Sequence, residues 1–523
     1  MRRRRFLAAA VSLPLVTGCT QSLDDAAETT TEQGSNPTST ATETETNTSN
    51  DVGRPPETFP EERPDWSQVI TAETTPRTYA LSGGFYYNDD NAAVYSGFTE
   101  TATANHPARL VFVLQNDNDF ANTFRLDEIP PFGRGECIGD GPQDSTDEIR
   151  SAGYRTDLVV APTESHDLAS ETPDYKRASD GTWRLSSPKS GPWLPKRIRL
   201  EADEWVRGEY VLLGRPEGTE YGRPTGRYEF RGRDSGLTLN VWDSEAPGPE
   251  TESRFAGESV PSLTEQTIAW FHEADATTET FIRPSTEQLS LPGAVEYEFV
   301  NHSHTNVGCG HWDLYKLHGG EWFHIFPKIH TADCLLLPPG GTETLSLRAF
   351  HGDAVPCGGD NPNAATNGFG VGHLGGGRYA VVTGNGAEAG ASGALLDIEA
   401  DPVTIRPTDD VTAERNSDTV TVTSPRYGDG EHPPDATLTA TRADSADETR
   451  LPEQVMQGGN SGWRIHGIRN TVPFFADDVN RVVLRTDEHV AESALNIDND
   501  SNTRRLEVDG TAYEFTIERT ESD

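Results

Sequence analysis

Short runs of alternating apolar residues, separated by clusters of turn-forming residues, recur along most of the chain. The clearest runs cover residues 110–114, 210–213, 237–242, 295–299, 379–382 and 419–422. Alternation places successive side chains on opposite faces of a strand, so that one face is buried and the other is solvated. Gly, Pro, Asn and Asp between the runs are typical of turns. The pattern predicts an all-β chain built from β-sandwiches.

Two segments of the chain repeat the same order of features. The first copy opens at residues 108–116 and ends at 237–242, and the second opens at 295–301 and ends at 395–398. Each contains a strand, an Asn-containing turn, further strands, a Gly-Arg-Tyr strand and a closing strand. A fixed order at a long period indicates two copies of one structural unit.

The second copy resembles bacterial-type immunoglobulin-like domains. The matching residues are Asn301, Ser303, residues 314–317 (Leu-Tyr-Lys-Leu), Gly320, Trp322, Leu337, Pro339, Gly340, Leu374, Gly377 and Tyr379. The resemblance spans about 110 residues and implies an immunoglobulin-like sandwich but no activity, because this fold hosts many functions.

The first residues of the chain are typical of an export signal. Residues 3–7 read Arg-Arg-Arg-Phe-Leu, an apolar run continues to Val16, and the run ends at Gly18 and Cys19. The run is too short to span a bilayer, which requires about 20 apolar residues, so it predicts a signal peptide. It resembles a twin-arginine signal followed by a lipobox. The resemblance implies lipidation of Cys19 and anchoring at the extracellular face of the cell membrane. The alternative is an ordinary signal peptide with an incidental cysteine.

The composition after the signal divides the chain further. Residues 20–64 are rich in Thr, Ser, Glu, Asn and Pro, and such a segment buries too little apolar surface to fold. The predicted segments are a signal peptide (1–18), a lipidated disordered stalk (19–64), a first β-sandwich with an insertion (65–243), a linker with a short helix at 262–273 (244–280), a His/Cys-rich second immunoglobulin-like domain (281–401) and a third β-rich domain (402–523). In the third domain we expect strands near Thr419, Trp463, Val482 and Tyr513.

The charge of the chain excludes one class of partner. The formal net charge is −41, from 84 acidic and 43 basic residues, and only five of the basic residues are lysine. A nucleic-acid-binding protein would carry the opposite sign. Diffuse acidity with little lysine resembles halophilic proteins of salt-loving archaea, whose self-repulsion is screened in concentrated salt. The alternative is a moderately acidic secreted bacterial protein.

The cysteines predict disulfides outside the cell, where such bonds persist. With Cys19 lipidated, Cys137, Cys309, Cys334 and Cys357 remain. Four cysteines allow three pairings, and the sequence does not choose among them. We expect at least one bridge among the three cysteines of the second domain.

Histidines concentrate in the second domain, where Cys309 lies between them. If residues 302–304 and 309–311 form strands, His302 and His304 share one face, as do Cys309 and His311. Imidazole and thiolate are ligands for copper and zinc, so these four residues are the candidate metal site. The alternative is that they are polar residues surrounding a disulfide.

Enzyme signatures such as Gly-x-Ser-x-Gly, His-Glu-x-x-His and the phosphate-binding loop do not occur. The sequence therefore favours a non-catalytic binding or scaffolding role in the cell envelope, with an unidentified protein or glycan as ligand and no cofactor. Copper or zinc binding by the second domain is the second hypothesis. A surface hydrolase is the third, because paired carboxylates can be distant in sequence. Tyr86, Tyr87, Trp193 and Trp205 are candidate partner-site aromatics, with packing in the core as the alternative for each. Asn47, Asn301 and Asn499 are candidate N-glycosylation sites.

Overall fold

The structure is a computed structural model of the chain. It describes residues 66–82, 84–132, 158–188, 191–216, 225–231, 236–263, 267–308, 311–327, 336–355, 368–385, 391–429, 434–457, 466–495 and 502–519. These ranges are all-β and sandwich-like, as the strand pattern predicts. No helix within them is long and apolar enough to cross a membrane. The signal, the stalk and all five cysteines lie outside them.

The first domain is a sandwich of two antiparallel sheets. Its strands are β1 (Val69–Thr71), β2 (Arg77–Ser82), β3 (Phe85–Tyr87), β4 (Ala92–Glu100), β5 (Arg109–Asn116), β6 (Asn122–Arg125), β7 (Val159–Pro162), β8 (Tyr175–Arg177), β9 (Trp183–Leu185), β10 (Arg197–Leu200), β11 (Trp205–Leu213), β12 (Gly226–Arg231) and β13 (Gly236–Asp243). The sheets run β1–β2–β13–β12 and β3–β4–β5–β11–β7, with the pairs β6–β10 and β8–β9 beside them. Their inner faces form one core that includes Leu81, Phe112 and Leu239. A 3-10 turn covers Leu126–Glu128.

The second domain is also a sandwich. Its strands are β14 (Ile268–Trp270), β15 (Thr280–Pro284), β16 (Gln288–Ser290), β17 (Gly293–Asn301), β18 (Val307–Gly308), β19 (His311–His318), β20 (Glu321–Phe326), β21 (Leu336–Leu337), β22 (Thr342–Ala349), β23 (Gly368–Val371), β24 (Gly377–Asn385) and β25 (Ala391–Glu399). One sheet runs β14–β25–β24–β19–β20, with β16 also paired to β25, and the other runs β15–β17–β22–β23. Tyr297, Leu347 and Leu396 are among the core residues that join them.

A buried asparagine ends a central strand in the first domain. Asn116 is fully buried, and its Nδ2 donates to the backbone carbonyls of Leu200 and Glu201 at 3.2 and 2.9 Å. Its Oδ1 accepts a hydrogen bond from the backbone N–H of Asn118 at 3.2 Å. One amide therefore joins the end of β5 to the turn that precedes β11.

Asn301 holds the corresponding position in the second domain. It is fully buried, and its Nδ2 donates to the carbonyls of Thr305 and Leu337, each at 2.9 Å. Its Oδ1 accepts from the backbone N–H of Ser303 at 3.0 Å. The turns facing the two asparagines also correspond, because Asp203 and Gly340 both have positive φ, 59° and 68°. These matching networks confirm the internal repeat.

The linker differs from its prediction. The expected helix at residues 262–273 is wrong, because Ile268–Trp270 is strand β14, paired in parallel with β25, and the described helical part of the segment is the 3-10 turn Phe271–Glu273. Ile268 and Trp270 lie two residues apart and are buried with Phe255 against the outer face of the β25 sheet. A period of two suits a strand, and the pairing partner lies more than a hundred residues away.

The third domain contains a single mixed sheet of seven strands. They are β26 (Thr412–Asn416), β27 (Thr419–Thr423), β28 (Asp435–Arg442), β29 (Glu448–Arg450), β30 (Arg481–Asp487), β31 (Thr503–Val508) and β32 (Thr511–Arg519), in the order β26–β27–β30–β28–β32–β31–β29. The helices are α1 (Pro452–Met456), α2 (His466–Arg469) and α3 (Glu488–Leu495), with a 3-10 turn at Val472–Phe474. Val455, Ile468 and Leu495 pack against the sheet. The strands expected near Thr419, Val482 and Tyr513 are present, whereas Trp463 lies outside the described residues.

Helix α1 connects the third domain to the second. Lys316 on β19 forms an ion pair with Glu453, and both residues are buried. The Lys316 ammonium also lies 5.3 Å from the ring centroid of Tyr379. Gln454 Nε2 donates to the carbonyl of His324 at 2.9 Å, and Leu451 belongs to the core of the second domain. The two domains therefore share buried polar and apolar contacts.

We predict that Asn301→Ala destabilises the folded chain by about 2–3 kcal/mol, because several buried backbone groups lose their partner. Denaturant unfolding followed by tryptophan fluorescence measures the change. The control is Asn416→Ala on the exposed edge strand β26, which should change stability by less than about 0.5 kcal/mol. Equal effects of the two substitutions would contradict a structural role for the buried amide.

We predict that Lys316→Met and Glu453→Gln each destabilise the chain by about 3–5 kcal/mol, because each leaves a buried group without its partner. The double variant should recover a substantial part of the loss, and the double-mutant cycle measures this coupling. The exposed pair Arg505–Glu514 is the control, and its removal should have little effect. Additive losses at Lys316 and Glu453 would contradict the coupling.

Candidate functional site

The outer face of the sheet β3–β4–β5–β11–β7 carries a cluster of aromatic side chains. Strand register places Phe85 opposite Tyr95, and Tyr95 opposite Val113. In the neighbouring row Tyr87 is opposite Ala93, and Gln115 is opposite Trp205. Directly opposed residues of an antiparallel pair share a face. We call Trp66, Phe85, Tyr87, Tyr95 and Trp205 the aromatic face.

Small buried residues support these rings from below. Val111 and Val113 are buried on this side of the sheet, and Trp66, Tyr95 and Trp205 pack against them. Gly97 lies beneath Trp66, and a Cβ at this position would come within 2.2 Å of the Trp66 Cβ. A glycine is therefore required at position 97 for the tryptophan to approach the sheet.

The exposed part of the aromatic face lies on strands β3 and β4. The Phe85 ring centroid is 4.8 Å from those of both Tyr87 and Tyr95, at interplanar angles of 81° and 33°. Tyr87 is 50% exposed, whereas Trp205 is 9% exposed. Edge-to-face and tilted ring pairs at this distance are favourable, so the rings support one another while one edge of the cluster faces solvent.

Charged side chains border the aromatic face in balanced pairs. Arg109 contacts Glu100 at 3.1 Å and Glu209 at 3.3 Å, and Arg207 contacts Glu209 at 3.2 Å. Two arginines and two glutamates thus form a border without net charge on a chain that is otherwise strongly acidic. An aromatic cluster with a polar border is typical of a binding surface.

The structure brings together two of the four aromatic residues proposed from the sequence. Tyr87 and Trp205 belong to the aromatic face, but Tyr86 points to the core and its hydroxyl donates to the Pro130 carbonyl at 2.7 Å. Trp193 is buried in an adjacent cluster. Sequence reasoning missed Trp66, Phe85 and Tyr95. The two-residue spacing of Phe85 and Tyr87 is the signal that could have identified this face.

His302 lies between the first and second domains. Its ring stacks on Trp242 of the first domain, with centroids 5.3 Å apart and planes 7° apart. Nδ1 donates to the carbonyl of Pro247, so this nitrogen carries the proton. Strand β17 ends at Asn301, so residues 302–304 do not form the strand on which His302 and His304 were expected to share a face. The exposed His304 instead lies 3.3 Å from the Thr71 hydroxyl.

Among the other described histidines of the second domain, two make separate contacts with an aspartate. His311 begins strand β19. His324 Nε2 lies 2.9 Å from Asp313, and His373 Nε2 lies 2.9 Å from Asp353. His318 is exposed at the end of β19.

The described residues contain no group of three or more His, Cys, Asp or Glu side chains placed to hold a metal ion. Cys309 lies outside them, as do the other disulfide candidates Cys137, Cys334 and Cys357 and the lipidation candidate Cys19. Copper or zinc binding therefore stays a prediction. The sequons at Asn47 and Asn499 also lie outside the described residues. The Asn301 amide is buried and hydrogen-bonded, and is therefore inaccessible to a glycan in the folded chain.

We predict that protonation of His302 weakens the folded chain. Burial lowers the pKa of the His302 ring. The hydrogen bond to the Pro247 carbonyl and the charge of Glu298 raise this pKa, but burial has the larger effect. The folded state therefore prefers the neutral ring. The contribution of the neutral His302 ring to folding stability is fully present above about pH 6.5, the pKa of histidine in the unfolded chain. It falls as the pH drops from there toward the lower pKa of His302 in the folded chain.

Denaturant unfolding at pH 7 and pH 5 measures this effect. The variant His302→Phe, which keeps a ring against Trp242, should lose less stability on acidification than the wild-type chain. The exposed control His318→Phe should behave as the wild type. Identical pH dependence in all three proteins would contradict the prediction.

No known family model and no curated protein matches the chain.

Proposed function

We propose that the chain is an extracytoplasmic lipoprotein, anchored to the membrane through Cys19, with a non-catalytic binding role in the cell envelope. The N-terminal signal with its Gly18-Cys19 stop supports export and lipidation. Residues 20–64 act as the stalk between the lipid and the folded domains. The twin-arginine signal implies a chain that folds before export.

The aromatic face carries the proposed binding role. It combines partly exposed rings, a buried apolar support and a charge-balanced border on one sheet. Binding surfaces are enriched in aromatic residues and arginine. The Trp242–His302 contact joins this domain to the second, and the Lys316–Glu453 ion pair joins the second domain to the third, which suits a scaffold that presents a surface.

The immunoglobulin-like resemblance fits this role. Tyr379 is fully buried, and its hydroxyl donates to the Gly375 carbonyl four residues upstream at 2.8 Å. This bond matches the tyrosine corner of immunoglobulin-like domains. Such sandwiches commonly occur on cell-surface proteins, and the acidic composition suits a halophilic cell surface.

We predict that Cys19→Ser releases the chain from the membrane, because one thiol carries the lipid. Fractionation of cells that express the full chain, with mass spectrometry of the mature N-terminus, measures the change. Replacing Arg3 and Arg4 with lysine should instead retain the chain in the cytoplasm. A mature protein that begins after Cys19, or membrane retention of Cys19→Ser with the signal removed, would contradict the proposal.

A further inference from the structure

We propose that the aromatic face binds an uncharged glycan through a pyranose ring stacked on Tyr87, the exposed ring of the cluster. This inference deepens the proposed binding role and rests on it. It names the chemical class of the partner.

The neighbouring rings hold Tyr87 in position for a ligand. Phe85 contacts both tyrosines at 4.8 Å between centroids, and Tyr95 rests on the buried Val111–Val113 layer. Rings held in this way lose little conformational freedom when a ligand binds, so less of the contact energy is spent on ordering. The 50% exposure of Tyr87 leaves much of its ring accessible to a ligand.

The chemistry beside the rings suits a sugar. A pyranose presents C–H groups on one face and hydroxyls around its edge. The C–H face packs on an aromatic ring, and the hydroxyls need hydrogen-bonding groups at the side. Gln115, Arg207 and Glu209 lie on the same face of the sheet as the rings. They supply both donors and acceptors at the border.

The charge distribution favours an uncharged ligand. The two arginines at the border are already paired with Glu100 and Glu209, and the net charge of −41 repels a polyanion. At 1 M salt the Debye length is about 3 Å, so this repulsion and any charge attraction are both screened, whereas stacking on a ring does not depend on charge.

The size of the cluster favours a short saccharide over a folded protein. A stable protein interface buries about 800 Å² on each partner. Trp205 is 9% exposed and Tyr87 is half exposed, so the accessible ring area is a small part of such an interface. One or a few sugar units match it better.

Calorimetric titration of the full chain in detergent, at low and at molar KCl, tests this inference. The probes are cellohexaose, laminarihexaose, chitohexaose and mannohexaose, with dextran sulfate as a polyanion. At least one neutral oligosaccharide should bind with similar affinity at both salt concentrations. Tyr87→Ala should weaken that binding about tenfold. The control Tyr175→Ala removes a 39% exposed tyrosine from β8 of the same domain and should leave binding unchanged.

Circular dichroism and thermal unfolding establish that each variant is folded. If Tyr87→Ala does not fold, Tyr87→Leu is titrated in its place, because it removes the ring and keeps an apolar side chain. The inference is overturned if no neutral oligosaccharide binds, if only dextran sulfate binds, or if Tyr87→Ala and Tyr175→Ala bind alike. Lipid attachment at Cys19 is read separately, so a membrane-anchored chain without glycan binding would refute this inference alone.

Discussion

The buried asparagine at the end of a central strand is the interaction on which both sandwiches depend. A strand that turns inside a core leaves backbone groups without strand partners, and each must be satisfied there. Asn116 and Asn301 do this with one amide each, which bonds to its own loop and to the opposite turn. A side-chain amide offers two donors on its nitrogen and an acceptor on its oxygen, and these contacts use all of them. The turn it faces accordingly adopts positive φ, through Asp203 in one copy and Gly340 in the other.

Much of the fold follows from local sequence. Alternation and turn residues locate the strands, and the repeated order locates the two sandwiches. The failures share one cause, which is that distant pairing decides the local structure. Strand β14 forms because β25 lies beside it, and a short apolar segment alone does not show that partner. Similarly, strand β17 ends at Asn301, so His302 lies beyond the strand and its ring stacks on Trp242 of the first domain.

The aromatic face shows the same limit for function. Tyr87 and Trp205 are visible as aromatics in the sequence, but 118 positions separate them. Only the register of β3, β4, β5 and β11 collects them beside Phe85 and Tyr95. Tyr86 lies next to Tyr87 in the chain and points the opposite way. A surface of this kind follows from sheet geometry, and no motif in the sequence predicts it.

The buried pair between Lys316 and Glu453 has a consequence for biosynthesis. A ribosome that has just completed the second sandwich has not yet made Glu453, nor Leu451, which fills part of that sandwich's core. The second sandwich therefore reaches its final packing only after the residues of the third domain that contact it have been synthesised. If the second sandwich folded before synthesis ended, Lys316 would lack the carboxylate that pairs with it in the completed chain.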